Sequence, residues 1–139
     1  MEKINSLTGM TDLIETKADE NVLANKVFQT EKILKEIFTN YAMSEIRTPA
    51  LENTNLFKRS VGDTSDIVNK ELYTFSDKND KSITLRPEGT ASVMRSIIEK
   101  KLDGETHKLW YLGPMWRYER PQKGRYRPVS YTHLRAHET

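Results

Sequence analysis

Leu109-Trp110-Tyr111-Leu112-Gly113-Pro114-Met115-Trp116 runs without interruption into Arg117-Tyr118-Glu119-Arg120-Pro121-Gln122-Lys123-Gly124-Arg125-Tyr126-Arg127. The first half is apolar and reads as buried strand. The second places four arginines and a lysine around a single carboxylate and a Pro-to-Gly break. Guanidinium groups stay charged at physiological pH and present planar forks that match phosphate or carboxylate oxygens in pairs. A strand that carries arginines from a buried sheet to one edge holds them rigidly enough to orient an anion. The competing reading is a solvated hairpin tip, whose surface Arg–Glu pairs are worth about 0–1 kcal/mol each. Arg117 should alternate with Trp116, so one of the two faces a buried pocket, where an arginine needs an anionic partner. The residues alone leave both readings open.

Outward from this stretch the pattern alternates between helix and strand. Asn5 to Glu15 lacks periodicity and reads as an extended lead-in. A long helix starts near Asp19, which suits an N-cap, and sets Leu23, Val27, Ile33, Leu34, Ile37, Phe38 and Tyr41 on one broad face. Glu45 to Pro49 alternates like a short strand, and its proline places it at an edge or interface. Leu56 to Arg59 suggests a short helix, followed by a polar loop from Gly62 to Asp66. Glu71–Phe75 and Ser82–Arg86 flank Asp77-Lys78-Asn79-Asp80 as a β-hairpin. Pro87 is expected at the first turn of a helix that buries Ala91, Met94, Ile97, Ile98 and Leu102 and ends by Gly104. Lys108–Leu112 and Met115–Glu119 return to strand. The order predicts an α+β fold with a mainly antiparallel sheet flanked by helices.

With 139 residues, the chain is one domain or part of one. Hydrophobic residues make up 36% and charged residues 30%, a balance that argues against a membrane-embedded or disordered protein. There is no cysteine, so thiolate metal sites, thiol nucleophiles and disulfides are excluded, which suits a cytoplasmic protein. The net charge of +2 conceals an asymmetry. Residues 1–106 carry 15 Lys/Arg against 18 Asp/Glu, and residues 107–139 carry 7 against 2, which points to a local anion site rather than a general nucleic-acid coat.

A second stretch, Thr84-Leu85-Arg86-Pro87-Glu88-Gly89-Thr90, hands a strand over to a helix. Glu88 and Thr90 beside a glycine offer a carboxylate and a hydroxyl to an ammonium group. A plain helix start, with acidic and hydroxyl residues favoured in the first turn, explains the same residues.

Taken in order, these stretches closely resemble the histidyl-tRNA synthetases, a class II aminoacyl-tRNA synthetase family, over about residues 4–127. Residues 19–49 resemble the family's motif 1, whose end from Tyr41 to Pro49 belongs to the dimer interface. Leu56 to Asp63 and Leu72-Tyr73-Thr74-Phe75 match the family's next segments. Thr84 to Thr90 is similar to the histidine-binding segment, and 109–127 to motif 2. The resemblance implies ligation of histidine to its tRNA through a histidyl-adenylate, with ATP as substrate accompanied by Mg2+. It implies that Glu88 and Thr90 receive the histidine amino group, with Gly89 between them in the histidine-binding segment, and that Arg117 bridges the histidine carboxylate and the α-phosphate. Glu119 and Arg125 would contact ATP, and Arg120, Lys123 and Arg127 the acceptor end of tRNA. Pro49 would lie at the interface of a homodimer.

Residues 128–139 depart from the family pattern and read as a non-family tail. Pro128 is expected to remove a ladder donor there. His133 and His137 stand at a zinc-compatible spacing without an evident third ligand, so no metal site is expected. Motif 3 and the anticodon-binding domain are not found, so the chain reads as a truncated part of a catalytic core, inactive by itself. The alternative is the synthetase-like, histidine-binding regulatory subunit of histidine biosynthesis, which charges no tRNA; the intact arginine cluster favours the synthetase.

Overall fold

The long helix of the sequence pattern is α1, Val22–Asn40, in a computed structural model that describes residues 4–7, 10, 12–16, 22–61, 71–118 and 128–130. Neither glycine nor proline interrupts α1, and the hydroxyls of Thr30 and Thr39 fold back onto the carbonyls of Lys26 and Lys35. The helix buries less than its periodicity predicts. Ala24 and Phe38 are buried, but Leu23, Ile33, Ile37 and Tyr41 are exposed. The expected N-cap, Asp19, and the loop from Gly62 to Asp66 lie outside the described residues.

Short strands come next. β1, Ser44–Glu45, runs parallel to β5, Leu109–Trp110, with Ser44 opposite Leu109. β2, Leu51–Asn53, and β3, Thr74–Ser76, flank the central β4, Ser82–Leu85, both antiparallel to it. β6, Pro114–Trp116, pairs antiparallel with β7, Pro128–Ser130. With α2, Thr54–Val61, and α3, Thr90–Glu99, packed on this framework, the fold is α+β with mainly antiparallel pairing. No described helix is long and apolar enough to cross a membrane.

Both long helices end in the same hydrogen-bond pattern. Ala42 and Lys101 take left-handed φ values of 54° and 55°. Met43 N–H then closes on Phe38 O and Leu102 N–H on Ile97 O, the long bond of a Schellman turn. The terminator of α3 is therefore Lys101, not the expected Gly104. Its buried face also differs, because Val93 and Ser92 point inward while Ile98 and Leu102 are exposed.

Val93, Ile97, Tyr111 and Met115 form the core between α3 and the run from Leu109 to Trp116, with Ile46, Met94 and Leu109 packed around them. Phe38 of α1 reaches the other end of that run, its ring 5.0 Å from Trp110. Between β5 and β6, Gly113 at φ 155° redirects the chain, so the apolar run serves two sheets.

Pro128 does not weaken β6. Trp116 N–H donates to Arg86 O, on the side of β6 away from β7. Antiparallel alternation then makes Met115 and Val129 the hydrogen-bonded pair, and Pro128, opposite Trp116, turns its nitrogen outward.

Candidate functional site

Glu88 sits two residues before α3 and supplies the cap that Gly89, at the N-cap position, has no side chain to give. Its carboxylate accepts from Thr90 N–H at 2.6 Å and from Ala91 N–H at 2.9 Å. Two otherwise unsatisfied helix donors are satisfied, and negative charge lies at the positive end of the helix dipole. The helix start is thus real, but it begins at Thr90 rather than at Pro87. The same bonds fix the carboxylate's orientation and leave it lone pairs for a further donor. Thr90 is half-buried beside it.

Gly89 is required by space. A Cβ there would overlap the ring of Tyr111, whose hydroxyl is buried without a hydrogen-bond partner among the described residues. The loop from Glu88 to Thr90 therefore lies directly on the strand run that leads to Arg117.

Arg117 comes directly after β6 and is half-buried. Its Nε donates to the carbonyl oxygen of Pro87 at 3.1 Å. The two stretches singled out in the sequence, 84–90 and 109–127, are thereby joined at one point, with the Arg117 guanidinium bonded to the carbonyl of the residue that precedes Glu88. Tyr118 continues the anchoring. Its N–H donates to Glu71 O at 2.7 Å, and its ring meets Tyr73 edge-on at 5.5 Å.

Arg86 and Thr48 were given no role by the sequence pattern. The Arg86 side chain is buried, and its Nη1 donates to both the carbonyl and the hydroxyl of Thr48, at 3.0 and 2.8 Å. Its Nε reaches Pro114 O at 3.3 Å. Burial pushes the guanidinium below its ordinary pKa, with Tyr111 and Glu52 acting in the opposite sense. The available signal was position: Arg86 ends the strand and immediately precedes Pro87.

Pro49 is exposed between β1 and β2. Glu119, Arg120, Lys123, Arg125 and Arg127 lie outside the described residues, as do His133 and His137. Among the described residues no group of three or more His, Asp or Glu side chains could hold a metal ion. His107, before β5, bonds through Nε2 to Leu102 O at 2.7 Å.

Comparison with known proteins gives a consistent set of relatives. The family model described as histidyl-tRNA synthetase matches residues 20–131. A histidine–tRNA ligase of Geobacter sulfurreducens is 61% identical over 99 residues, which is 70% of this chain and 24% of that protein. The apo histidyl-tRNA synthetase of S. aureus is similar in structure, with a TM-score of 0.68 and 41% identity over 91% of this chain and 27% of that one. A Bacillus halodurans protein, described as an ATP phosphoribosyltransferase regulatory subunit/histidyl-tRNA synthetase, shares the fold at 23% identity. Its TM-score is 0.56, over 81% of this chain and 27% of that one. The chain spans about a quarter of the length of these relatives.

Proposed function

Because the chain belongs to the histidyl-tRNA synthetase family, we propose that it forms part of the catalytic domain of a cytoplasmic enzyme that ligates histidine to its tRNA. The observation that carries this reading is the bond from Arg117 Nε to Pro87 O, which joins the arginine-bearing strand to the Glu88–Thr90 loop. An amino acid needs a partner at each end, and this edge supplies both: carboxylate and hydroxyl for its ammonium, guanidinium for its carboxylate.

In the reaction so read, a histidine carboxylate oxygen attacks the α-phosphorus of ATP. The bond to the bridging oxygen breaks, and pyrophosphate leaves. The terminal ribose hydroxyl of tRNA then attacks the histidyl carbonyl carbon and displaces AMP. Arg117 holds nucleophile and electrophile together and meets the charge that develops on the phosphoryl oxygens. Glu88 and Thr90, oriented by the start of α3, hold the amino group, and Gly89 lets their loop close on the Tyr111 ring. Glu119 and Arg125 are assigned to ATP, which enters with Mg2+, and Arg120, Lys123 and Arg127 to the tRNA end. A homodimer would cover the exposed Ile33 and Ile37, one turn apart on α1, and the exposed Tyr41 directly after it, with Pro49 nearby in the chain.

The test is ATP–pyrophosphate exchange by the full-length protein that contains this segment, one amino acid at a time. Exchange with histidine, abolished by Arg117→Ala, is expected. Exchange with a different amino acid, or none with histidine, rejects the proposal.

A further inference from the structure

The bonds that place Arg117 begin at Arg86. The Arg86 side chain ties Thr48, between β1 and β2, to Pro114 at the start of β6. Its backbone N–H donates to Ala50 O at 2.9 Å, and its carbonyl accepts from Trp116 N–H at 3.0 Å. The next carbonyl, that of Pro87, accepts from Arg117. Two consecutive residues therefore fix the Thr48–Ala50 segment, both ends of β6 and the guanidinium beyond it.

We infer that Arg86 is a positioning residue for Arg117, a clamp that sets β6 against the Thr48–Ala50 segment; the inference rests on the role of Arg117 proposed above. A guanidinium is suited to this because its planar fork bonds carbonyls on two different segments in one fixed relative geometry, which the rotatable donors of a lysine do not impose. Its cost is also informative. A buried charge bonded to carbonyls and a hydroxyl packs with a larger desolvation penalty than an apolar residue of similar size would carry. Gly113 preserves the space it needs, since a Cβ there would lie 2.7 Å from Arg86 Nη2. Gly113, on the strand run, and Thr48, on the far side, thus flank the Arg86 side chain.

The clamp is tested in the full-length protein with Arg86→Met and Thr48→Val, alone and in an Arg117→Lys background. Histidine-dependent pyrophosphate exchange supplies the turnover and the KM for histidine. Arg86→Met is expected to lower turnover about 10- to 100-fold, as a misplaced reacting group does, with the KM for histidine changed less than about threefold. Thr48→Val, which removes one of the bonds, is expected to lower turnover about two- to fivefold in the same direction. In the Arg117→Lys background each effect should shrink to less than about twofold, because a residue that acts through another is not additive with it. Full effects that persist in that background, or an Arg86→Met protein with unaltered turnover, overturn the inference. If Arg86→Met does not fold, Thr48→Val decides the matter by the same cycle. If the unaltered protein shows no histidine-dependent exchange, the function proposed for Arg117 fails and this role falls with it.

Discussion

Gly89 lies so close against the ring of Tyr111 that a Cβ on residue 89 would overlap the aromatic carbons. Its backbone, at φ −104° and ψ −20°, is open to any residue, so it is the ring and not the torsion that requires glycine. Gly89→Ala is expected to lower stability by about 1–3 kcal/mol, the range for overfilling a packed site. Urea unfolding checks this, and an unchanged midpoint would show that the ring moves aside freely.

The two Schellman turns offer the opposite sign. Ala42 and Lys101 hold left-handed conformations that cost a residue with a Cβ about 1–2 kcal/mol. Ala42→Gly and Lys101→Gly should each raise stability by about 0.5–1 kcal/mol, less than that cost because glycine also enlarges the unfolded ensemble. Thermal unfolding of the two variants separates gain from loss. A lower midpoint in both contradicts the assignment of strain to these turns.

Arg95 bonds the buried carboxylate of Glu52 at 2.9 Å and also pairs with Glu99 one turn along α3. Removing the guanidinium with Arg95→Ala leaves Glu52 buried and uncompensated, for an expected loss of about 2–4 kcal/mol. Glu99→Ala, at the exposed end of the same network, should cost less than about 0.5 kcal/mol. Equal losses from the two substitutions would refute the distinction.

Glu45 reports on pH. Arg47, bonded at 2.7 Å, holds its carboxyl below the ordinary value of 4.5, with help from Lys35 and against the effect of burial. A depressed folded pKa means that the contribution is present above the unfolded value and is lost as pH falls through the folded one. NMR titration of Glu45 should therefore move upward in Arg47→Ala. The same titration curve in both proteins would dismiss the pairing.

Thr54, Ser82, Thr84 and Thr74 link their hydroxyls across β4 at 2.8 to 3.0 Å, with Thr84 fully buried. Thr84→Val keeps the shape and deletes the junction, and is expected to cost about 1–3 kcal/mol. A neutral result, by urea unfolding, would mean that the remaining hydroxyls re-pair without it.

Local chemistry made much of this legible. The turn residues of the β3–β4 hairpin, the unbroken helix of α1 and the apolar strands before Arg117 could all be read from short windows. The α+β class came from their order. What escaped notice depends on partners far along the chain. β2 is not assigned from the sequence, and its central residue is Glu52, whose partner Arg95 lies 43 residues away. Ile98 has the period of a core residue but is 61% exposed, while Val93 is buried, because Tyr111 and Met115 approach from one side only. At the site, Glu88 and Arg117 stood out by residue type, and the structure brings their segments together. Arg86 did not stand out, since a strand-end arginine gives no sign of facing inward to backbone carbonyls.

The outward-turned nitrogen of Pro128 has a consequence for the other side of β7. A further strand docking on that edge would find no amide hydrogen at residue 128, so recruitment of a passing chain by edge-to-edge pairing is discouraged there.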